Sequence, residues 1–256
     1  MNVAVLVKYV PIPQGTPTLG PDNLLVRSGV EGSLDPGDEY GLEAALRIVE
    51  AAGGEVTAVS MGPDEASAAI QRALAMGAHR GVLVTDPALR GADVLVTARV
   101  LAAAIERAGA FDLVIGGVES TDGYTGTLPS TLAELLGLPS VTFARKIEVE
   151  EGKVRAERQT ETGYDVVESP LPAVVTVTSG ANEPRYPSLK GIMGAKQKPV
   201  DRPTAAELGL SADDLTSSQS VVVVTDAPGK SAGEILQAGP GAAARIADLL
   251  AEAKAI

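Results

Sequence analysis

The sequence contains no cysteine. Disulfides, thiolate metal sites and cysteine nucleophiles are therefore excluded, and a reducing cytoplasm is compatible with the chain. A single histidine, His79, excludes a multi-histidine metal site built by this chain alone. Tryptophan is absent and aromatics make up 3% of the residues. The core must then be assembled from Ala, Val, Leu and Ile, which suits buried parallel strands under closely packed helices. Positive charge is also short: 21 Lys and Arg stand against 33 Asp and Glu, a formal net charge of −12. That balance argues against non-specific nucleic-acid binding. No apolar run is long enough to span a bilayer. The opening MNVAVLVKYV has no basic region before its apolar run and no cleavage pattern after it, so it reads as a buried strand rather than a signal peptide. With 256 residues, one large domain or one domain with an appendage is expected.

What is present alternates between strand and helix. Asn2 to Val10 reads as a first strand, with a continuous apolar run from Val3 to Val7. Lys8 closes it, either as a strand-end charge reaching water or at the carboxyl edge where open α/β sheets bind ligands. Pro11 to Ser33 is long for a βα connection; Leu24 to Val26 and the residues around Leu34 could form a short hairpin. Asp35-Pro36-Gly37-Asp38 starts a helix: Asp35 caps, Pro36 fits the first position, and acids favour the positive end. Strands then fall at Glu55–Ser60, Arg80–Thr85 and Asp112–Gly116. Helices fall between them, from Asp64 to Met76 and from Ala92 to Arg107. Right-handed crossovers turn this alternation into a doubly wound α/β fold with a parallel sheet. Phe143–Val149 and Lys153–Gln159 add a β-hairpin, and Ala173–Thr178 a further buried strand. Pro199 to Ser218 reads as a linker with a short helix near Ala205–Leu208. Val221–Val224 reads as a strand and Ala242–Lys254 as an amphipathic helix.

Two stretches carry candidate function. The first, Gly116 to Thr127 (GGVESTDGYTGT), follows the fourth strand and leads into a helix at Leu128. Its glycines let backbone amides approach a ligand, its hydroxyls supply adaptable bonds, and a helix start favours phosphate. It lacks the Gly-Lys-Ser/Thr ending of a P-loop, and the spaced-glycine dinucleotide fingerprint would follow the first strand. From the residues alone, a nucleotide loop and a plain turn both stand. The second stretch, Ala181 to Pro199 (ANEPRYPSLKGIMGAKQKP), has neither strand nor helix period throughout. Prolines stiffen it, and Leu189, Ile192 and Met193 lie among Arg185, Lys190, Lys196 and Lys198. An apolar knob in a basic loop suits docking onto another protein, burial giving affinity and charge steering the encounter. An ordinary surface loop with a short helix from Leu189 to Lys196 is the other reading.

Asn182-Glu-Pro-Arg-Tyr-Pro-Ser-Leu189, followed by Gly191-Ile-Met193 and Ala195-Lys-Gln-Lys198, closely resembles the signature of the beta subunits of electron-transfer flavoproteins. In that family the segment is a recognition loop whose leucine inserts into partner dehydrogenases; the matching residue here is Leu189. The resemblance makes Arg185, Tyr186, Ile192, Met193, Lys196 and Lys198 its neighbours in partner binding. Asp112 to Gly137 resembles the segment that wraps an adenine nucleotide, usually AMP, with the core kept at Asp122, Gly123, Thr125 and Gly126. Nucleotide contacts are implied for Gly117, Val118, Glu119, Ser120, Thr121, Tyr124, Thr127 and Leu128. The same is implied for Leu6 on the first strand, Asp35, Pro36, Gly37 and Asp38 at the first helix start, and Met61 after the second strand. Asp35 stands where asparagine is usual, and Thr127 where glutamine is common.

The resemblance covers residue 1 to about 200. It implies an adenine-nucleotide-binding domain over 1–200, including the hairpin 143–159 and the recognition loop 181–199. A linker and C-terminal arm over 201–256 would contact an alpha subunit. The implied function is that of a non-enzymatic, FAD-containing electron carrier, the FAD held mainly by the alpha subunit. Electrons would come from acyl-CoA dehydrogenase-type flavoproteins, as in fatty acid oxidation, and go to a membrane quinone reductase. Two alternatives remain: a bifurcating flavoprotein with a second FAD in the AMP crevice, and a stand-alone ATP-binding protein, which would leave 181–199 without a purpose.

Overall fold

The computed structural model describes residues 1–12, 17–27, 29–225, 227, 229, 233 and 235–255. It divides into two compact units, Met1–Val221 and Val222–Ile256. In the first, the strands are β1 Asn2–Leu6, β2 Tyr9–Pro11, β3 Gly32–Leu34, β4 Glu55–Met61, β5 Arg80–Val84, β6 Leu113–Gly117, β7 Ser140–Glu150, β8 Lys153–Thr160, β9 Gly163–Pro170, β10 Ala173–Val177 and β11 Val200–Asp201. The helices are α1 Pro36–Ala52, α2 Ser67–Met76, α3 Val94–Ala108, α4 Leu128–Leu136 and α5 Leu189–Ala195, with α6 Ala242–Glu252 in the second unit.

Nine strands form one sheet in the order β11-β5-β4-β1-β6-β10-β7-β8-β9. The pairs from β11 to β7 are parallel, and β8 and β9 add antiparallel pairs at one end. Because successive strand residues point to opposite faces, the apolar run of β1 is divided between two layers. Val3 and Val5 pack with Leu42 and Leu46 of α1 and Ile70 and Leu74 of α2. Ala4 and Leu6 pack with Val100 and Ile105 of α3 and Leu132 of α4. The chain therefore winds outward from β1 through β4 to β5, then returns to the far side of β1 as β6. The order reverses between β1 and β6, and such a switch point leaves a crevice at the carboxyl ends of the two strands.

Local chemistry explains the elements at that edge. The Asp35 carboxylate accepts the Gly37 amide at 2.8 Å and caps α1, with Pro36 in the first turn. Gly41 lies on Gly116, where a Cβ would stand 3.4 Å from the Gly116 carbonyl carbon, so α1 rests close against β6. The expected first strand is shorter than its apolar run. Asp38 takes the Lys8 amide at 2.8 Å, and after this diversion of a ladder donor Tyr9–Pro11 turns aside to pair antiparallel with Gly32–Leu34. Leu34 thus pairs with β2 rather than with Leu24–Val26, where Leu25 bridges Leu19.

The expected hairpin at 143–159 is a three-stranded ribbon, extended by β9. The residues expected as a linker pack on the sheet. Val200–Asp201 pairs with β5, Leu208, Leu210 and Leu215 lie against the α3 layer, and Ser218 donates to Asp93 at the amino end of α3. Val221–Val224 forms no strand and is exposed: four valines alternate to no buried face, and no described strand pairs with them. No described helix is long and apolar enough to cross a membrane, and the described residues hold no metal-binding cluster of His, Cys, Asp and Glu.

Candidate functional site: a nucleotide crevice and an apolar docking loop

The loop after β6 folds back over the amino end of α1. Its anchor is Asp35, wholly buried, which accepts the Thr121 amide at 2.7 Å and the Thr121 hydroxyl at 2.9 Å while also capping α1. Buried acceptors that satisfy backbone donors are costly to remove, so one side chain fixes both loop and helix. Beyond Thr121 the chain turns on Ser120, whose carbonyl accepts the amides of Gly123 and Tyr124. Tyr124 and Gly126 both take positive φ, 48° and 63°. A Cβ on Gly123 would fall 2.9 Å from the Ser120 hydroxyl, and one on Gly117 2.9 Å from the Asp38 carboxylate. The glycines are therefore sites of close backbone approach, as their spacing in the sequence implies.

Asp35, Asp38 and Asp122 are engaged, whereas Glu119 is exposed with its carboxylate beside Gly126. Asp122 receives Lys8 Nζ at 2.7 Å and the Arg27 guanidinium. Burial opposes its ionisation, but the charges and hydrogen bonds of Lys8 and Arg27 outweigh burial and hold its carboxyl below the usual range. Lys8 also donates to the Ser120 hydroxyl at 3.1 Å. Asp38 behaves oppositely. Burial, then the charge of Asp35, pushes its carboxyl up to about 8, against hydrogen bonds from the Lys8 and Gly117 amides. The mouth is left with the exposed residues Thr125 and Thr127 and with the amino end of α4, which no side chain caps. These groups suit the phosphate and sugar of an adenine nucleotide.

The structure thus brings together Leu6, the Asp35–Asp38 turn and the 117–127 loop. The Leu6 side chain lies beneath Gly116, and Gly37 abuts Gly117. Leu128 opens α4, and Met61 closes β4 beside β1 on the same sheet edge. Lys8, read from the sequence either as a strand-end charge or as a residue of the ligand-binding edge, lies in the crevice, and Arg27 is the crevice residue that the sequence did not place. Lys8 follows the first strand, a position that marks this edge, whereas Arg27 lies in an irregular excursion with no periodicity.

The second candidate surface is the 181–199 loop. Tyr186, Leu189, Ile192 and Met193 are 89%, 75%, 53% and 70% exposed. The last three sit on α5, a short helix whose start is capped by Ser188, the hydroxyl accepting the Gly191 amide at 3.0 Å. Lys190 and Lys196 are exposed beside them. Two other cations of the loop turn inward. Arg185 bonds Glu43 and Glu50 of α1, and Lys198 Nζ donates to the carbonyls of Leu74 and Ala78 at the end of α2. Partial burial lowers the Lys198 ammonium from its ordinary value. Glu43 was not legible as a site residue; an acid on the otherwise apolar face of α1 is the only signal it leaves.

Comparisons with known proteins follow the same outline. The family model for the electron transfer flavoprotein domain matches residues 22–208. The chain is 42% identical over 242 residues to the electron transfer flavoprotein subunit beta of Mycobacterium leprae, covering 91% of each chain. It is 41% identical over 239 residues to the subunit of that name from Thermoanaerobacterium thermosaccharolyticum, covering 92% of each. To the caffeyl-CoA reductase–Etf complex subunit CarD of Acetobacterium woodii it is 37% identical over 240 residues, with 92% of each covered. The chain belongs to the electron transfer flavoprotein family, and its relatives of known name are beta subunits and a subunit of an Etf-containing reductase complex.

Proposed function

We propose that this chain is the beta subunit of a heterodimeric, cytoplasmic electron carrier. It pairs with an alpha subunit that holds most of an FAD, and it binds AMP structurally in the β1/β6 crevice. FAD supplies the redox chemistry, and this chain supplies the scaffold beside it and the docking surface. Donors are flavoprotein dehydrogenases of the acyl-CoA dehydrogenase type, and a membrane quinone reductase takes the electrons onward. The observation that carries the reading is the exposed trio Leu189, Ile192 and Met193 on a capped helix, with exposed Tyr186 just before it, rimmed by Lys190 and Lys196 in a chain of net charge −12. An apolar centre with a charged rim is how encounter and burial are combined at protein interfaces.

The crevice supports the nucleotide part. Asp35, Asp38 and Asp122 are already paired with Lys8, Arg27 and backbone amides, so they do not oppose a phosphate as free charges, and the exposed Glu119 is left to meet ribose or base. The test is reduction of the co-expressed heterodimer by an acyl-CoA dehydrogenase and its substrate under anaerobic conditions. Bleaching of the flavin absorbance that saturates with carrier concentration is expected. A flavin that dithionite reduces but no dehydrogenase of this type reduces would contradict the reading.

The relative named as part of a caffeyl-CoA reductase–Etf complex favours one second reading. In it the same crevice takes a second FAD and the heterodimer oxidises NADH. Reduction by NADH in the absence of any dehydrogenase separates the two.

A further inference from the structure

We infer that Arg185 and Glu43 are positioning residues for partner docking: their ion pair fixes the docking helix α5 in the orientation that presents Leu189 outward. The inference rests on the docking reading of Leu189 above. It assigns a role that exposure and charge alone do not give, since Arg185 points away from the docking face.

The geometry is that of a two-point clamp. Arg185 Nε donates to Glu43 Oε2 at 2.7 Å, and its backbone amide reaches the same oxygen at 3.2 Å. Its two terminal nitrogens reach the two Glu50 oxygens at 2.5 and 3.0 Å. Glu43 and Glu50 lie two turns apart on α1, so the planar guanidinium is held in direction as well as in place. Glu43 is itself tethered, accepting Arg47 Nε at 2.5 Å, and its side chain is 3% exposed. Four further bonds hold the rest of the loop. Asn182 donates to the Tyr40 carbonyl at 2.9 Å, Arg47 donates to the Glu183 carbonyl at 3.1 Å, and Lys198 fastens the far end to α2.

Between those ends α5 lies directly on α2. A Cβ on Gly191 would stand 2.3 Å from the Ala75 carbonyl oxygen. Pro184 and Pro187 flank the clamp and restrict the backbone that leads to Leu189. A loop fixed in this way loses little freedom on docking, and less of the binding energy is then consumed in ordering it. Lysine at 185 would keep the charge but lose the fork that reaches two carboxylates at once.

The experiment measures steady-state electron transfer from a dehydrogenase to the co-expressed heterodimer, for Arg185→Lys, Glu43→Gln and Leu189→Ala. Arg185→Lys and Glu43→Gln should each raise the KM for the carrier by about tenfold, with the limiting rate, FAD content and dithionite reduction unchanged. Glu43→Gln leaves Arg185 its bonds to Glu50, so a smaller rise in that variant than in Arg185→Lys also supports the clamp. If Leu189→Ala raises KM and Arg185→Lys leaves it unchanged, the clamp is wrong and the docking reading stands. If Leu189→Ala leaves KM unchanged, the docking reading itself fails and takes the inference with it. A loss of FAD in parallel with any change in the clamp variants would mark a general structural role and overturn the assignment.

Discussion

Replacing Asp38 by asparagine should flatten the pH dependence of stability. Asp38 lies under the crevice loop, 7% exposed, next to the wholly buried Asp35. Burial and the charge of Asp35 lift its carboxyl from 3.8 to about 8. The native chain therefore binds this proton more tightly than the unfolded chain does. The stabilisation is complete below the unfolded value and is lost as pH rises through the folded one. Each proton so linked changes stability by at most about 1.4 kcal/mol per pH unit. Between pH 5.5 and 7.5, both inside the window, the loss is then on the order of 2 to 3 kcal/mol. For a chain of this size that corresponds to roughly 5 to 10 °C of melting temperature. Asparagine has no proton to lose, so the wild type, already behind the variant at pH 5.5, should fall behind it by a further amount on the order of 2 to 3 kcal/mol by pH 7.5. Thermal melts of both heterodimers across this range give the answer. A wild-type-minus-variant difference that stays constant with pH would refute the placement of a buried, proton-bearing Asp38 beside Asp35.

The other expectations concern the two functional surfaces. Leu189→Ala removes about three carbons that only a partner buries, so it should weaken docking by about 2 kcal/mol, roughly 30-fold in KM, and leave the melting temperature unchanged; equal kinetics would remove Leu189 from the interface. Asp122→Ala strips Lys8 and Arg27 of their carboxylate and should speed the loss of AMP from the heterodimer, measured by nucleotide content after gel filtration, whereas full retention would place the nucleotide elsewhere. Because Lys8 and Arg27 hold Asp122 below the usual carboxylate range, its stabilisation is present above pH 3.8 and fades as pH falls through the lower folded value, opposite in sign to Asp38. Gly191→Ala drives a methyl against the Ala75 carbonyl and should lift α5 from α2, raising the dehydrogenase KM with normal FAD content; unchanged KM would mean that α5 already moves freely.

Most of the fold could be read from local chemistry. Asp35 followed by Pro36 announces α1 because capping is settled within three residues. Continuous runs such as Val3 to Val7 announce strands covered on both faces, and the switch point follows from their order. What escaped depends on distant partners. Asp38 redirects the chain after Leu6 from the adjoining helix, so the apolar run continues beyond the strand it builds. The third strand of the ribbon, Gly163–Pro170, is exposed along most of its length and carries no alternation to detect.

In the site, the convergence of Leu6, Asp35–Asp38 and the 117–127 loop was legible because each lies at a strand end or a helix start, whereas the Gly, Ser and Thr of the loop suit a plain turn as well as a nucleotide. The orientation of the site's charges was not legible. Arg185 pairs with an acid 142 residues earlier, and Lys198 caps a helix 124 residues before it. In the sequence both are indistinguishable from Lys190 and Lys196, which remain on the surface.

The central claim is that the β1/β6 crevice holds a structural adenine nucleotide while the flavin resides chiefly with the alpha subunit. Its most direct test is the identity and stoichiometry of nucleotides released on denaturing the co-expressed heterodimer. One FAD and one AMP per heterodimer are expected. Two FAD and no AMP would contradict the structural role and make the 117–127 loop part of a redox site.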